Sequence, residues 1–303
     1  MSLLFLFLDG IGIGEVSKES NPFVTARMPF LEKLLGGKLT VQLASVSTDK
    51  LLFKPIDARL GYAGLPQSAT GQMTLLTGKN GADAMGRHYG PWPGPTIKSQ
   101  LDKGTLFSEV LASGKSASLL NVYPPGYFRA VEEGKQKENV PVYSAKGAGL
   151  ELLKVEDYLA QEAVSVDLTG EYLYRYDANI KPLSPLDMGR RLARLALNHD
   201  FSFFDYWPSD TIGHRGSYNE AVNLLEKLDS FFAGVYEGVR DGDVTVVITS
   251  DHGNLEDKLV KTHTLAPVPL IIFGNTQPFV SAQSIVDVAP AIRLALGLKA
   301  EAE

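Results

Sequence analysis

The chain is organised around the stretch Thr249-Ser250-Asp251-His252-Gly253-Asn254, which follows an apolar, β-branched run from Val244 to Ile248. The run predicts a buried strand, and where it stops an acid stands beside an imidazole. In open α/β sheets the functional groups collect just beyond the carboxyl ends of the strands. The stretch therefore predicts a strand that leads into a metal-binding turn. An isolated Asp-His pair is also common by chance, so the remaining ligands must come from elsewhere in the chain.

Apolar runs alternate with helical patterns on either side of this stretch. Leu3–Leu8 is apolar on both faces, which is typical of a central parallel strand. Further strands are predicted at Ser116–Val122, Phe201–Trp207 and Pro267–Phe273, and helices at Pro29–Leu35, Met188–Leu197 and Asn219–Val239. The alternation predicts an α/β fold with a mostly parallel central sheet and helices on both faces.

The length of 303 residues suits one large domain, and we treat residues 1–303 as a single unit. Residues 123–186 are more polar and irregular than the rest, and they include the charged tract Glu132–Glu138. A strand pair is predicted around Ala163–Tyr176. We expect this segment to be a small cap insertion over the functional site, although the charged tract alone is most simply a solvated loop.

Composition excludes several classes of function. The net charge is −6 and no run of Lys or Arg is present, which argues against a nucleic-acid or anionic-membrane surface. The chain has no Cys, so any metal must be held by oxygen and imidazole ligands. Leu3–Leu8 is too short for a signal peptide and lacks a basic region before it. No segment approaches the roughly 20 apolar residues of a membrane span, so we expect a cytoplasmic protein.

The first predicted strand ends at Asp9, which is followed by Gly10-Ile11-Gly12-Ile13-Gly14. The spaced glycines invite comparison with a dinucleotide-binding loop, but the G-x-G-x-x-G spacing is absent. A carboxylate at this position would repel a pyrophosphate, whereas it could hold a cation. The alternative interpretation is an ordinary acidic residue in the turn after a strand.

A second candidate group surrounds Ser68, which a turn containing Pro66 delivers near a predicted helix start. Free backbone N–H groups and the helix dipole favour negative charge there, and this suits a hydroxyl that attacks phosphate. An N-capping serine is the alternative interpretation. Farther on, Arg87 and His88 lie in an aromatic loop and could bind an anion, or serve only as surface or hydrogen-bonded structure.

Two more histidine contexts resemble metal sites. Asp210 and His214 are four residues apart beyond a predicted strand, so one helical turn places both side chains on the same side. His263 lies in the loop that enters the Pro267–Phe273 strand. With His252, three of the five histidines thus stand in contexts typical of metal ligands.

Together these motifs resemble the alkaline-phosphatase superfamily of binuclear metalloenzymes, and within it the cofactor-independent phosphoglycerate mutases and phosphopentomutases. The matching segments keep the order of that family from end to end: Leu8-Asp9-Gly10, Ser68-Ala69-Thr70-Gly71, Asp210 to Gly216, Thr249 to Asn254, and Thr262-His263-Thr264 with Pro267-Val268-Pro269. The resemblance implies one metal held by Asp210, His214 and His263, and a second held by Asp9, Asp251, His252 and the hydroxyl of Ser68.

The implied chemistry is phosphoryl transfer to and from Ser68. Mixed carboxylate and imidazole ligation suits Mn²⁺ or Zn²⁺ better than Mg²⁺. Two divalent ions against three carboxylates leave about one net positive charge, which would attract a phosphate to an otherwise acidic protein. The resemblance implies a small phosphorylated metabolite as substrate and a phosphoserine at Ser68 that passes to water or to another hydroxyl.

Departures from the family pattern leave the reaction open. Gln72 stands where the mutases usually have His after the turn glycine, and we group it with Arg87 and His88 as candidate substrate-binding residues. The interval between Ser68 and Asp210 contains no clear equivalent of the large arginine-rich domain of full-length bacterial mutases. Phosphohydrolase activity is therefore as well supported as phosphomutase activity.

Two other functions remain alternatives. One is a related esterase for phosphodiesters or sulfate esters, although a sulfatase would need the Cys that this chain lacks. The other is a metal-stabilised binding protein without catalysis. Retention of Ser68 argues against this last alternative, since a structural metal site needs no nucleophile.

Overall fold

The computed structural model describes residues 2–240, 242 and 244–298. The described strands are β1 (Ser2–Leu8), β2 (Val46–Ser47), β3 (Leu51–Ile56), β4 (Ala117–Leu119), β5 (Phe201–Tyr206), β6 (Val244–Ser250) and β7 (Val268–Phe273). The described α-helices are α1 (Pro22–Thr25), α2 (Pro29–Leu35), α3 (Ser68–Thr77), α4 (Gly81–Met85), α5 (Pro95–Leu101), α6 (Leu106–Ala112), α7 (Pro125–Glu132), α8 (Val140–Gly147), α9 (Val155–Leu159), α10 (Pro185–Ala196), α11 (Pro208–Arg215), α12 (Tyr218–Val239) and α13 (Val288–Leu296). Short 3₁₀ helices cover Glu171–Arg175, Gln277–Phe279 and Ile285–Asp287.

The seven described strands form one mixed sheet in the order β2-β3-β7-β6-β1-β5-β4. Strands β4, β5, β1 and β6 are mutually parallel, whereas β7 is antiparallel to both β6 and β3. Because β3 is antiparallel to β7, it points the same way as the parallel set, and only β2 and β7 run in the opposite direction. The α/β fold with a mostly parallel sheet is thus confirmed.

Helices cover both faces of the sheet, as predicted. Alternate side chains of β1 belong to different cores, with Leu4 and Leu6 on one face and Phe5 and Phe7 on the other. The first face packs against α2, α10 and α12, and the second against α3, α6, α8 and α13. This two-sided burial accounts for the continuous apolar run in the sequence of β1.

Local signals account for where the long helices begin. Ser217 and Glu220 form a reciprocal capping box at the start of α12, and the Ser184 hydroxyl accepts the N–H of Asp187 at the start of α10. The predicted helices at Pro29–Leu35, Met188–Leu197 and Asn219–Val239 correspond to α2, α10 and α12. The predicted Ser116–Val122 strand is shorter in the structure, where β4 covers Ala117–Leu119.

The strand pair predicted around Ala163–Tyr176 is wrong. Val164 forms only an isolated bridge with Asn121, and Glu171–Arg175 is a 3₁₀ helix. The cause is Asp167, whose carboxylate accepts the backbone N–H groups of residues 169, 170 and 172. Donors that a strand would present to a neighbour are thus satisfied within a tight local turn.

Residues 123–186 form α7, α8, α9 and the turn around Asp167. The segment is tied to the sheet because the side-chain amide of Asn139 donates to the Asp205 carboxylate on β5 over 2.7 Å. Its role as a cap stays a prediction, as does the treatment of residues 1–303 as one domain. Among the described residues, no helix has the length and apolar character needed to cross a membrane.

Candidate metal centre

The predicted site residues converge on one edge of the sheet. Asp9 directly follows β1, Asp251 and His252 directly follow β6, and Asp210 lies on α11 just after β5. The carboxyl ends of these parallel strands meet at that edge. Because β7 is antiparallel, its amino end lies there too, and this brings the loop of His263 to the same place.

Three of these side chains form a group that we call the buried cluster: Asp9, Asp251 and His252. Nε2 of His252 lies 3.4 Å from Oδ1 of Asp9 and 3.6 Å from Oδ2 of Asp251. The hydroxyl oxygen of Ser68 lies 3.0 Å from the same Nε2. All four residues are buried, so two carboxylates share a space with little access to water.

A second group, the outer cluster, consists of Asp210, His214 and His263. Nε2 of His214 lies 3.4 Å from Asp210 Oδ2, and Nε2 of His263 lies 3.6 Å from Asp210 Oδ1. The two Nε2 atoms are 3.1 Å apart. The rings of His263 and His252 stack with centroids 3.7 Å apart, which joins the outer cluster to the buried one.

Backbone carbonyls orient the two imidazoles of the outer cluster. Nδ1 of His214 lies 2.9 Å from the carbonyl oxygen of Lys261, and Nδ1 of His263 lies 2.6 Å from that of Pro66. A carbonyl only accepts, so each Nδ1 carries the proton and each Nε2 presents a lone pair to the cluster. Metal-binding histidines are commonly oriented in this way.

The electrostatics of the two clusters fit divalent ions. Burial, followed by repulsion from Asp251 and Asp210, raises the pKa of the Asp9 carboxyl well above its ordinary value. Burial and Asp210 also raise the pKa of Asp251, while burial lowers the pKa of His252 and of His263. Oδ1 of Asp9 is buried with no hydrogen-bond partner among the described residues. Crowded carboxylates and neutral imidazoles form a donor set that a cation would complete.

Ser68 is the first residue of α3, and Gln67 before it is the N-cap. The Ser68 hydroxyl contacts His252 instead of capping the helix, so the N-cap interpretation does not describe this serine. The neighbouring hydroxyl of Thr70 donates to the carbonyl oxygens of Gln67 and Tyr89 and is fully buried. Of these two hydroxyls, that of Ser68 is therefore the one that faces the buried cluster.

The three candidate substrate residues lie in two different places. Gln72 is buried beneath the carboxylates, and its Nε2 donates to Asp9 over 3.1 Å and to Asp251 over 3.2 Å. Arg87 and His88 instead line an open cavity of about 480 Å³ beside Gln67. The cavity reaches helix α3, because Gly90 in its wall packs against the Ser68 backbone.

Two residues of the centre were not among the predicted site residues. The Asn254 amide donates to Asp210 Oδ1 over 2.6 Å, and the buried carboxylate of Glu256 accepts the backbone N–H of Asn254 over 2.8 Å. Both lie within four residues of His252 in the sequence. An acid so soon after a strand-end motif was the available signal, but its partner Gly12 lies 244 residues away in sequence.

Comparison with known proteins identifies the family of the chain. The profile of the Metalloenzyme superfamily matches residues 1–300, and the chain belongs to that superfamily.

Individual relatives are more distant. The chain is similar to the 2,3-bisphosphoglycerate-independent phosphoglycerate mutase of Serratia proteamaculans, with 34% identity over 108 residues. That match covers 33% of this chain and 21% of the mutase, so the chain matches about a fifth of that protein's length.

Solved structures share the fold over nearly the whole chain. Thermus thermophilus alkaline phosphatase superposes with a TM-score of 0.56 and 12% identity, covering 99% of this chain and 92% of that one. Leishmania mexicana phosphoglycerate mutase superposes with a TM-score of 0.52 and 13% identity, covering 100% and 96%. At these identities the likeness establishes the fold alone, and it agrees with the mixed sheet described above.

Proposed function

We propose that this chain is a binuclear-metal-dependent enzyme that transfers the phosphoryl group of a small phosphorylated metabolite through a phosphoserine at Ser68. The observation that carries the proposal is the position of the Ser68 hydroxyl, 3.0 Å from His252 Nε2 and beside a cluster with two crowded carboxylates. Membership of the Metalloenzyme superfamily supports the need for metal.

The proposed ligands are the two clusters, with Asp210, His214 and His263 for one ion and Asp9, Asp251, His252 and Ser68 for the other. Bound divalent ions, Mn²⁺ or Zn²⁺ on this donor set, would lower the pKa of the serine hydroxyl and offset the phosphate charge. The carboxylates and the oriented imidazoles keep these ligand atoms in place before substrate arrives.

Ser68 performs the covalent step. The Ser68 hydroxyl loses its proton to solvent and its oxygen attacks phosphorus, the bond from phosphorus to the ester oxygen breaks, and the alcohol leaves after it takes a proton from solvent. Water or a second hydroxyl then attacks the phosphoserine and releases Ser68. The amino end of α3 supports this chemistry, because the helix dipole and the first backbone N–H groups favour an anion there.

Arg87 and His88 are proposed to bind the alcohol part of the substrate. They line the cavity beside Gln67, and within the described residues the guanidinium of Arg87 pairs with no carboxylate and lies 6.0 Å from the Tyr89 ring centroid. An anionic group on the alcohol part of the substrate would meet this unpaired charge in the cavity. For Gln72 we propose a different role, namely holding the two buried carboxylates by its amide.

The test is a panel of phosphorylated metabolites, including phosphoglycerates and pentose phosphates, incubated with Mn²⁺ or Zn²⁺. Release of free phosphate identifies a hydrolase, and an isomeric product without phosphate release identifies a mutase. A trapped Ser68 phosphopeptide would support the intermediate. Two bound ions with no turnover of any phosphate ester would overturn the proposal in favour of a metal-stabilised binding protein.

The choice of nucleophile has a matched pair of variants. We expect Ser68→Ala to lower turnover by more than about 10³-fold, as loss of a covalent nucleophile does, and Thr70→Ala to retain most of it. Intact turnover in Ser68→Ala together with an inactive Thr70→Ala would show that the assignment is wrong.

A further inference from the structure

The carboxylate of Glu256 is buried and contacts two loops at the candidate metal centre, one of them at two separate points. Oε2 accepts the backbone N–H of Gly12 over 2.9 Å and that of Asn254 over 2.8 Å. Oε1 accepts the hydroxyl of Thr264. One side chain thus joins the loop after β1 to two distant points of the single loop 251–267 that connects β6 to β7.

The spaced glycines of the sequence are explained by this side chain. A Cβ atom at Gly12 or at Gly253 would collide with the Glu256 carboxyl group, and one at Gly14 would come within 2.9 Å of its Cγ. The glycines after Asp9 therefore leave room for a carboxylate instead of a pyrophosphate. The loop fits the carboxylate closely, because glycine at these positions leaves the space that a Cβ atom would fill.

Each loop that Glu256 contacts carries ligands of a cluster. Gly12 lies three residues after Asp9, Asn254 two residues after His252, and Thr264 next to His263. Asn254 extends the connection, because its amide donates to Asp210 Oδ1 over 2.6 Å. In the described part of the chain the oxygens of Glu256 belong to neither cluster, so any influence on a bound ion is exerted through these loops.

We propose that Glu256 is a positioning residue, which fixes the three ligand-bearing segments around Gly12, Asn254 and Thr264 relative to one another and so preorganises both clusters for their ions. The inference rests on the proposed function, because it presumes that the clusters bind metal. Residues that orient metal ligands commonly contribute 10- to 100-fold to affinity or activity.

The variants separate hydrogen bonding from simple burial. Glu256→Ala removes all three contacts and is expected to weaken Mn²⁺ binding by about 10- to 100-fold. Glu256→Gln keeps an oxygen for the two backbone N–H groups and should stay within about 10-fold of wild type. Glu256→Asp keeps the charge, but it is one methylene shorter and cannot reach all three contacts, so we expect it to bind Mn²⁺ more weakly than Glu256→Gln.

The measurement is calorimetric titration of the metal-free protein with Mn²⁺ alone, paired with thermal unfolding. Asp229→Asn is the matched control, because Asp229 is also buried and accepts the N–H groups of Phe30 and Leu31 at the start of α2, while it belongs to neither of the two clusters found among the described residues. We expect this control to lose stability while its Mn²⁺ affinity is unchanged. The order Gln, Asp, Ala in decreasing affinity would support positioning.

Wild-type Mn²⁺ affinity in Glu256→Ala, with only a lower melting temperature, would overturn the inference. If that variant does not fold, Glu256→Asp decides, and wild-type affinity in it has the same meaning. A wild-type protein that binds no Mn²⁺ and turns over no phosphate ester would overturn the proposed function. If wild type binds Mn²⁺ and turns over a phosphate ester, but the Glu256 variants keep wild-type Mn²⁺ affinity, this inference alone would be overturned.

Discussion

The buried and outer clusters lie at the same sheet edge and contain the same residue types, but they differ in charge and exposure. The buried cluster holds two carboxylates and one imidazole, and the Asp251 and His252 side chains are 0% exposed. The outer cluster holds one carboxylate and two imidazoles, with the side chains of Asp210 and His214 20% and 33% exposed. Two close carboxylates in a dry site are unfavourable without a cation, whereas a hydrated Asp-His-His set is not. The buried cluster should therefore depend on its ion for stability as well as for chemistry.

The largest expected effect compares one ligand from each cluster. Asp251→Asn should lower kcat/KM for an aryl phosphate by at least about 10³-fold, because it changes the proposed ion site next to Ser68. His214→Ala should cost less, about 10- to 100-fold, since water can reach the partly exposed position and replace the imidazole. Steady-state kinetics with saturating Mn²⁺ measures both. Equal losses in kcat/KM would mean that the difference in solvent exposure between the two clusters has no effect on catalysis.

Asp205, a buried carboxylate on β5, tests whether buried negative charge destabilises the metal-free protein. Burial raises the pKa of Asp205 from 3.8 to about 6, and Asp205 also contributes to the raised pKa of Asp9. A folded-state pKa above the unfolded one means that stability is present at low pH and is lost as the pH rises from about 4 to about 6. Asp205→Asn should therefore stabilise the metal-free protein by about 3 kcal/mol at pH 7 and by almost nothing at pH 4.

Denaturant unfolding at several pH values checks this sign. Asp200→Asn is a control of opposite sign, because hydrogen bonds from Ser116 lower the pKa of the Asp200 carboxyl and its removal should destabilise at neutral pH. A difference in unfolding free energy between Asp205→Asn and wild type that does not change with pH would contradict the raised pKa of Asp205.

Adding Mn²⁺ should reverse the order of thermal stability of wild type and Asp251→Asn. In metal-free buffer Asp251→Asn should unfold at a higher temperature than wild type, because it removes one of two crowded carboxylates. Mn²⁺ at about 100 times its Kd should stabilise wild type by about 2.7 kcal/mol and the variant by much less. Thermal unfolding with and without Mn²⁺ makes the comparison. A large loss of stability for Asp251→Asn without metal would indicate a structural role for the carboxylate.

The parts of this centre that sequence predicted are those set by local pattern. The strand ends at Asp9 and Asp251, and the helical pair Asp210 and His214, follow from spacing alone. The antiparallel direction of β7, which brings His263 to the same edge, depends on strand pairing across the sheet. Strand β3 was not predicted, because Leu51–Ile56 is short and contains Lys54 and Pro55.

Contacts between distant loops were equally hidden from the sequence. Gln72 and Glu256 meet their partners only after folding, and the Asp167 turn replaced a predicted strand pair because side-chain hydrogen bonds satisfied its backbone. Local periodicity carries no information on such contacts.

The smallest expected effect concerns the amide that bridges the buried carboxylates. Gln72→Leu removes the donor shared by Asp9 and Asp251, and it should destabilise the metal-free protein by about 2 kcal/mol. With Mn²⁺ bound the cost should shrink, since the ion then balances the same charges. Thr74→Val on the same helix is the control, because among the described residues the Thr74 hydroxyl bonds only backbone atoms, those of Thr70 and Gly81, and the cost of this variant should not depend on metal. If Gln72→Leu also lost the same unfolding free energy with and without metal, the amide would support the helix and not the carboxylates. The buried cluster would then lack an internal donor that holds it together before an ion binds.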